Sequence, residues 1–98
     1  MDNQTKCEVI SAWIDPEERV TVDFFDEKGL NAEITGCSLE LVELALETSF
    51  LFYRQTVSIP LSQVELGEDR SRYTRDPEKP LHYGRLRLII NHDRPKVV

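Results

Sequence analysis

The chain of 98 residues has few of the features that mark an enzyme or a metal protein. Its two cysteines and two histidines do not follow the ligand spacing of a zinc site. Its four glycines are too scattered for a loop that cradles phosphate. Acidic pairs such as Asp23 with Asp26, or Glu68 with Asp69, are typical of solvated turns. We therefore expect no catalytic site, no metal site and no cofactor.

Signals for export or membrane insertion are also missing from the sequence. Residues 1–6 contain no basic start, apolar segment or small-residue cleavage site. No apolar run is long enough to span a bilayer. Cys7 and Cys37 are few for a small secreted domain, which usually relies on several disulfides. We expect a cytoplasmic protein with two unpaired thiols; the alternative of a reactive Cys37 at a helix start stays open.

The composition that is present predicts one globular domain spanning residues 1–98. Hydrophobic residues make up 40% and charged residues 31% of the chain, which is ordinary for a globular protein and too apolar for a disordered one. A chain of this length can bury a hydrophobic core without disulfides or metal ions.

Alternation of apolar and polar residues predicts most of a β-sheet with one face exposed to water. The clearest segments are Val20 to Phe24 and residues 30–35, which a short glycine-containing turn joins as a hairpin. Residues 6–14, 50–59, 61–66 and 84–91 are further predicted strands. Six side chains on the apolar faces are predicted to form one core cluster: Val22, Phe24, Ile34, Val57, Leu86 and Leu88.

A change of period after Gly36 predicts one helix over residues 38–48. Most residues there are strong helix formers, Ser38 is a suitable N-cap, and three glutamates share a stripe at Glu40, Glu43 and Glu47. That stripe is interpreted as a solvated face, with a docking face for a basic partner as the alternative. A strand with a bulge over residues 38–46 is the competing interpretation of the segment.

The expected fold is therefore α+β, a mostly antiparallel sheet of about five strands in a roll or partial barrel with one packed α-helix. Residues 67–83 are predicted to form a long loop with two prolines and a single aliphatic side chain. Loops of this length are uncommon in compact domains and tend to be functional or disordered. Residues 92–98 are predicted to be a frayed tail.

Charge is distributed unevenly along the chain. Residues 1–69 carry fifteen acidic and four basic side chains, whereas residues 70–98 carry three acidic and eight basic ones, giving a net charge of −6. The arginines of the basic part are interleaved with tyrosines, a combination that contact surfaces favour. A basic last strand that simply neutralises acidic neighbours such as Asp23 or Glu33 is the plainer interpretation.

The leading functional hypothesis is a non-enzymatic accessory or adaptor domain that contacts another protein, or itself. The alternative is a module that binds an anionic ligand or nucleic acid through the arginine-rich loop; the acidic body makes nucleic acid the less favoured partner. No membrane contact is expected. The predicted partner-contact residues are Arg70, Arg72, Tyr73, Arg75, Tyr83, Arg85 and Arg87.

Overall fold

The structure, a computed structural model, describes residues 1–14, 18–48, 54–69 and 85–96. Within these ranges the elements are helix α1 (Asn3–Ser11), strands β1 (Val20–Asp23), β2 (Leu30–Cys37), β3 (Leu41–Glu47) and β4 (Arg54–Pro60), a 3-10 turn (Leu61–Gln63), and strands β5 (Val64–Asp69) and β6 (Arg85–Ile90). The six strands form one sheet in the order β4-β3-β2-β1-β6-β5.

The sheet is mixed, because β1 and β6 run parallel while every other neighbouring pair is antiparallel. The prediction of an α+β fold with about five mostly antiparallel strands is therefore approximately right. The parallel pair does not follow from the sequence, since parallel neighbours are distant along the chain and alternation does not reveal them. The sheet does not close into a barrel.

The connection between the two edge strands shows that the sheet is strongly curled. β4 and β5 lie at opposite edges, yet only the 3-10 turn separates Pro60 from Val64. Four residues span at most about 14 Å, whereas the edges of a flat six-stranded sheet lie about 24 Å apart. The strands must therefore wrap around the core, so that the edges approach each other at this end.

The predicted first strand is wrong, because residues 3–11 form helix α1. Asp2 caps the helix by accepting a hydrogen bond of 2.8 Å from the Thr5 N–H, which lowers the pKa of Asp2. Ile10 and Trp13 are buried and Cys7 packs against the same core. This spacing of three residues is a helical stripe. Of the three β-branched residues that suggested a strand, Val9 and Ile14 are exposed and only Ile10 is buried.

The predicted helix at residues 38–48 is also wrong, because Leu41–Glu47 is strand β3 between β2 and β4. Pairing on both sides overrides helix propensity, which is only a weak preference. Ser38 is no N-cap but closes the turn between strands, accepting the N–H groups of Glu40 and Leu41 on its hydroxyl. The glutamates therefore form no helical stripe, because Glu43 and Glu47 lie on strand β3; all three side chains are nevertheless exposed to water.

The alternative of a bulged strand comes closer, although the bulge lies in the partner strand. The β2–β3 register shifts between Ile34 and Gly36, so that Thr35 is the extra residue. Its hydroxyl donates to Glu43 at 2.8 Å.

The predicted loop at 67–83 begins too early. Gly67 to Asp69 belong to β5 and pair with β6, ending in the cross-strand pair Asp69 and Arg85. Residues 70–84 lie outside the described residues.

The predicted frayed tail is corrected for residues 92–96, which are fixed against the sheet. The Phe25 N–H donates to the His92 carbonyl at 3.0 Å, and the Arg94 N–H donates to Asp26 at 2.8 Å. The buried Gln55 of β4 donates its amide to the Pro95 carbonyl at 2.6 Å and accepts from the Arg94 guanidinium at 3.0 Å. The tail thus ties β4 to the turn between β1 and β2.

The core prediction is confirmed. All six residues named from the alternation lie in one buried cluster with side chains from α1, the 3-10 turn and the inner face of the sheet. The prediction of one wet face is wrong for β1, all four residues of which are buried. Thr21 and Asp23 point away from the core and are nevertheless enclosed, which brings a polar cluster to the opposite face of the sheet.

Candidate functional site

A buried polar cluster lies where β5 ends and β6 begins. We call it the loop base and define it as Thr21, Asp23, Asp69 and Arg87. The pairing of β1 with β6 places Thr21 beside Arg87, and the pairing of β5 with β6 brings Asp69 to the same face. Three strands thus contribute to one site at the two ends of residues 70–84.

Ion pairs and hydrogen bonds compensate the charges of the loop base. The Arg87 guanidinium donates to Asp23 at 2.5 Å and lies 3.3 Å from Asp69. Asp23 also accepts the Gly29 N–H at 2.8 Å, and Asp69 accepts the Thr21 hydroxyl at 2.8 Å. Arg87 thus compensates the charges of this site together with Arg85, which lies opposite Asp69 in the β5–β6 pair.

The arginine of this cluster is firmly protonated. The pKa of Arg87 is raised, chiefly by its hydrogen bond to Asp23 and further by the charge of Asp69. Its side chain is 29% exposed, whereas those of Asp23 and Asp69 are 10% and 5% exposed. Arg87 therefore neutralises the acidic neighbour Asp23, as the plainer interpretation of the basic last strand predicts.

Two of the seven predicted contact residues lie in the described part of the chain. Arg85 and Arg87 are both half-buried on the outer face of β6, and Arg85 donates to the Asn31 side-chain carbonyl at 2.6 Å. The other five lie outside the described residues: Arg70, Arg72, Tyr73, Arg75 and Tyr83.

A second group of charges covers the outer face near β4. Glu33 of β2 accepts from the Arg54 guanidinium at 2.5 Å and lies 3.8 Å from Arg19. Arg19 also contacts Glu47 at 3.3 Å. The Arg54 side chain is 48% exposed, so this network is far more open to water than the loop base.

The two thiols lie in the contact between α1 and β2. Both are free and half-buried, in agreement with the predicted absence of a disulfide, and both pack against the core. Burial raises the pKa of Cys37 to about 12, with a further contribution from a hydrogen bond to the neighbouring Cys7 thiol. Cys37 therefore stays protonated at neutral pH, which argues against the alternative of a reactive thiol.

Metal ligation and membrane crossing find no structural basis in the described ranges. No group of three or more His, Cys, Asp or Glu side chains is placed there to hold a metal ion. None of the helical segments in the same ranges has the length and apolar character needed to cross a membrane.

Comparisons with other proteins give no family: no family model matches the chain, and no curated protein and no solved structure shows significant similarity to it.

Sequence reasoning names Arg87 and its acidic neighbour Asp23 but does not connect Asp69 with them. The alternation places Asp23 on a wet face and Asp69 is assigned to the predicted loop, yet both are buried beside Arg87. A strand with polar residues that is buried on both faces shows the same alternation in its sequence as a strand with one face exposed to water. Strand order alone does not account for both burials, because Asp23 lies on the inner strand β1 and Asp69 on the edge strand β5.

Proposed function

We propose that this protein is a non-enzymatic accessory or adaptor domain that acts by contacting another protein through residues 70–84. The observation that carries the proposal is the loop base. It fixes the two ends of that segment, Asp69 and Arg85, as a cross-strand pair on the sheet. A segment whose ends are fixed loses less conformational freedom on binding than a free tail does.

The side chains of this segment suit a protein contact. Three arginines and two tyrosines lie between residues 70 and 84 on an otherwise acidic chain. Arginine and tyrosine are enriched at interfaces and among the residues that carry most binding energy. A partner with an acidic surface fits this composition. In this proposal Arg85 and Arg87 border the contact, with Arg87 also serving as the counter-charge of the loop base.

The test is a charge-reversal variant in which Arg70, Arg72 and Arg75 are replaced by glutamate. It should keep the unfolding midpoint nearly unchanged, because exposed charges contribute little to stability. It should lose the partner that the wild type captures from a native extract.

A matched control separates the segment from overall charge. Replacing Lys28 and Lys96 by glutamate, at two exposed positions of the described chain, changes the net charge as much as replacing Arg70 and Arg72 alone, and the two double variants are compared directly. This control should retain the partner. Equal recovery with both variants would refute a role for residues 70–84. Capture of RNA or another polyanion by the wild type, lost steeply with added salt, would favour the anionic-ligand alternative instead.

A further inference from the structure

Among the described residues, the edge strand β4 has no neighbouring strand along its outer side. The Leu61 N–H donates to the Glu40 carbonyl, which continues the β3–β4 ladder and fixes its alternation. In an antiparallel ladder hydrogen-bonded and non-hydrogen-bonded pairs alternate. Gln55, Val57 and Ile59 therefore direct their backbone groups to β3, and the residues between them direct theirs outward.

Pro60 independently confirms this alternation. It occupies an outward position, where the absence of an N–H removes no ladder bond, and proline in sheets is confined to such places. Thr56 and Ser58 are exposed, and within the part of the chain that the structure describes their outward N–H and carbonyl groups have no backbone partner. The free edge therefore runs from Arg54 to Ser58.

The features that normally protect an edge strand are confined to the two ends of β4, where Arg54 is its one charge and Pro60 its one proline. Natural edges are blunted by bulges, by lysines, by inward charges or by proline within the strand. The β3–β4 register is continuous, and residues 55–59 carry no charge, glycine or proline. The strand is also held in place from inside, because Gln55 is hydrogen-bonded to Pro95 and Arg94. β4 is thus an ordered template for another strand.

We propose that the occupant of this edge is a second copy of the chain, paired antiparallel through β4 about a two-fold axis at Thr56. This register places Thr56 opposite its own counterpart and Arg54 opposite Ser58 of the other copy. Every outward N–H and carbonyl group of these three residues then finds a partner, and Pro60 falls outside the paired stretch. Two-fold dimers use the same patch on both copies, as this edge does.

Charge supports a second copy rather than an arbitrary strand. Glu47 lies opposite Arg54, and Glu43 lies opposite Ser58, in the β3–β4 register. Arg54 already binds Glu33 of its own copy. In the dimer it would gain a second carboxylate, Glu43 of the other copy, about 10 Å away across Ser58. Those two side chains can meet, since together they are long enough to cover that distance. The two Arg54 residues would lie about 14 Å apart, beyond the screening length at physiological salt.

The test is the mass of the full chain in solution, measured by sedimentation equilibrium from micromolar to near-millimolar concentration. The wild type should reach twice the chain mass of 11.4 kDa. Thr56→Pro removes an outward N–H but no bond to β3, and Thr56→Lys sets two charges against each other while keeping the backbone intact. Both variants should keep the wild-type circular dichroism spectrum and stay at the single-chain mass; Thr56→Ala, the matched control, should dimerise.

Cysteine variants check the register. Thr56→Cys should cross-link two chains under oxidised glutathione, because residues facing each other in a hydrogen-bonded pair have Cα atoms about 5.5 Å apart, within disulfide range. Ser58→Cys should not, because its counterpart would lie about 14 Å away. The native Cys7 and Cys37 are present in both variants, so any cross-linking through them is the same in both.

Three results would overturn the proposal. The first is a wild type that keeps the single-chain mass at every concentration, even if it captures the strand of another protein. The second is a folded Thr56→Lys variant that still dimerises. The third is cross-linking of two chains through Ser58→Cys but not through Thr56→Cys. None of them bears on residues 70–84, so the adaptor proposal stands or fails separately.

Discussion

The two edge strands of the sheet are built from different side chains. β5 carries Glu65, Glu68 and Asp69 among its six residues, whereas β4 carries one charge, Arg54, at its beginning. Two β5 strands brought together would set several carboxylates against one another, which is destabilising. Two β4 strands would meet no such barrier. In the described part of the chain, one edge strand of the sheet thus carries several charges and the other carries one.

The buried faces of the same two strands are alike. Ile59 of β4 and Val64 of β5 both belong to the core cluster and are almost fully buried. Both ends of the sheet are therefore stabilised by the same apolar interior, and the difference between the edges lies in the side chains and backbone groups that face water.

The largest effects are expected from the shared core. Leu88→Ala beside β5 and Ile59→Ala on β4 should each lower the free energy of unfolding by about 2–5 kcal/mol, because both side chains are buried. Denaturant titration measures the loss, and Ile89→Ala, an exposed neighbour, is the control with little expected effect. A much smaller loss at Ile59 would mean that the inner faces of the edges differ as well.

The next effect compares two arginines that make carboxylate contacts of the same length. Arg87–Asp23 and Arg54–Glu33 both measure 2.5 Å, but the first pair is much less exposed. Arg87→Met should lower the free energy of unfolding by about 1–3 kcal/mol, since two buried carboxylates lose their counter-charge. Arg54→Met should change it by about 0–1 kcal/mol. Equal losses in thermal unfolding would contradict the difference in burial on which the comparison depends.

The attachment of the tail to β4 should have a moderate effect. Gln55→Ala removes both hydrogen bonds between β4 and residues 94–95, and should lower the free energy of unfolding by about 1–2 kcal/mol. Amide hydrogen exchange should become faster for β4 and for residues 92–96, and stay unchanged for β5. Uniformly faster exchange would show that the tail stabilises the whole sheet and not the β4 side.

Whether a helix or strand can be predicted from the sequence depends on which contacts stabilise it. Strands with one apolar face, such as β4 and β6, are evident from alternation, and their core residues are identified correctly. The sequence predicts a strand where helix α1 lies and a helix where strand β3 lies. Both predictions fail because β3 is stabilised by two neighbouring strands and α1 by the burial of Ile10 and Trp13. Neither contact is visible in a local pattern. Ser38 is wrongly predicted as an N-cap, because its hydroxyl accepts hydrogen bonds from backbone N–H groups in a turn as it would at a helix start.

The candidate sites follow the same rule. The basic side chains are evident from composition, but the partners of Arg87 come from strands that are distant in sequence, one of them in the parallel pair. The edge position of β4 also depends on strand order, which alternation does not encode. Pro60 is compatible with this position, because proline within sheets is found in edge strands, at strand starts or at bulges.

The thiol contact between α1 and β2 lies away from both edges and provides a reference in a pH series. The pKa of Cys37 is raised from an ordinary value of 9.0 to about 12, so folding favours its protonated form. The resulting stabilisation is fully present below pH 9 and is lost as the pH rises from 9 to 12. Unfolding free energies of the wild type and Cys37→Ala should therefore converge over this range, and the same trend should appear in the background of Thr56→Lys. Constant differences would mean that Cys37 ionises normally.

The smallest effect on stability, and the most direct test of protection by charge, is expected from neutralising the β5 edge. Glu65→Thr with Glu68→Thr should change the unfolding free energy by no more than about 0.5 kcal/mol, as exposed substitutions usually do. In the Thr56→Lys background, where β4 is blocked, this change should produce self-association that sedimentation detects at high concentration. Glu40→Thr with Glu43→Thr makes the same change in net charge elsewhere and should not. If both double variants stay at the single-chain mass, charge is not what protects β5. The next candidate for protecting β5 is then the Ile89 side chain, which lies over Gly67. A Cβ added to this glycine would lie 3.6 Å from it.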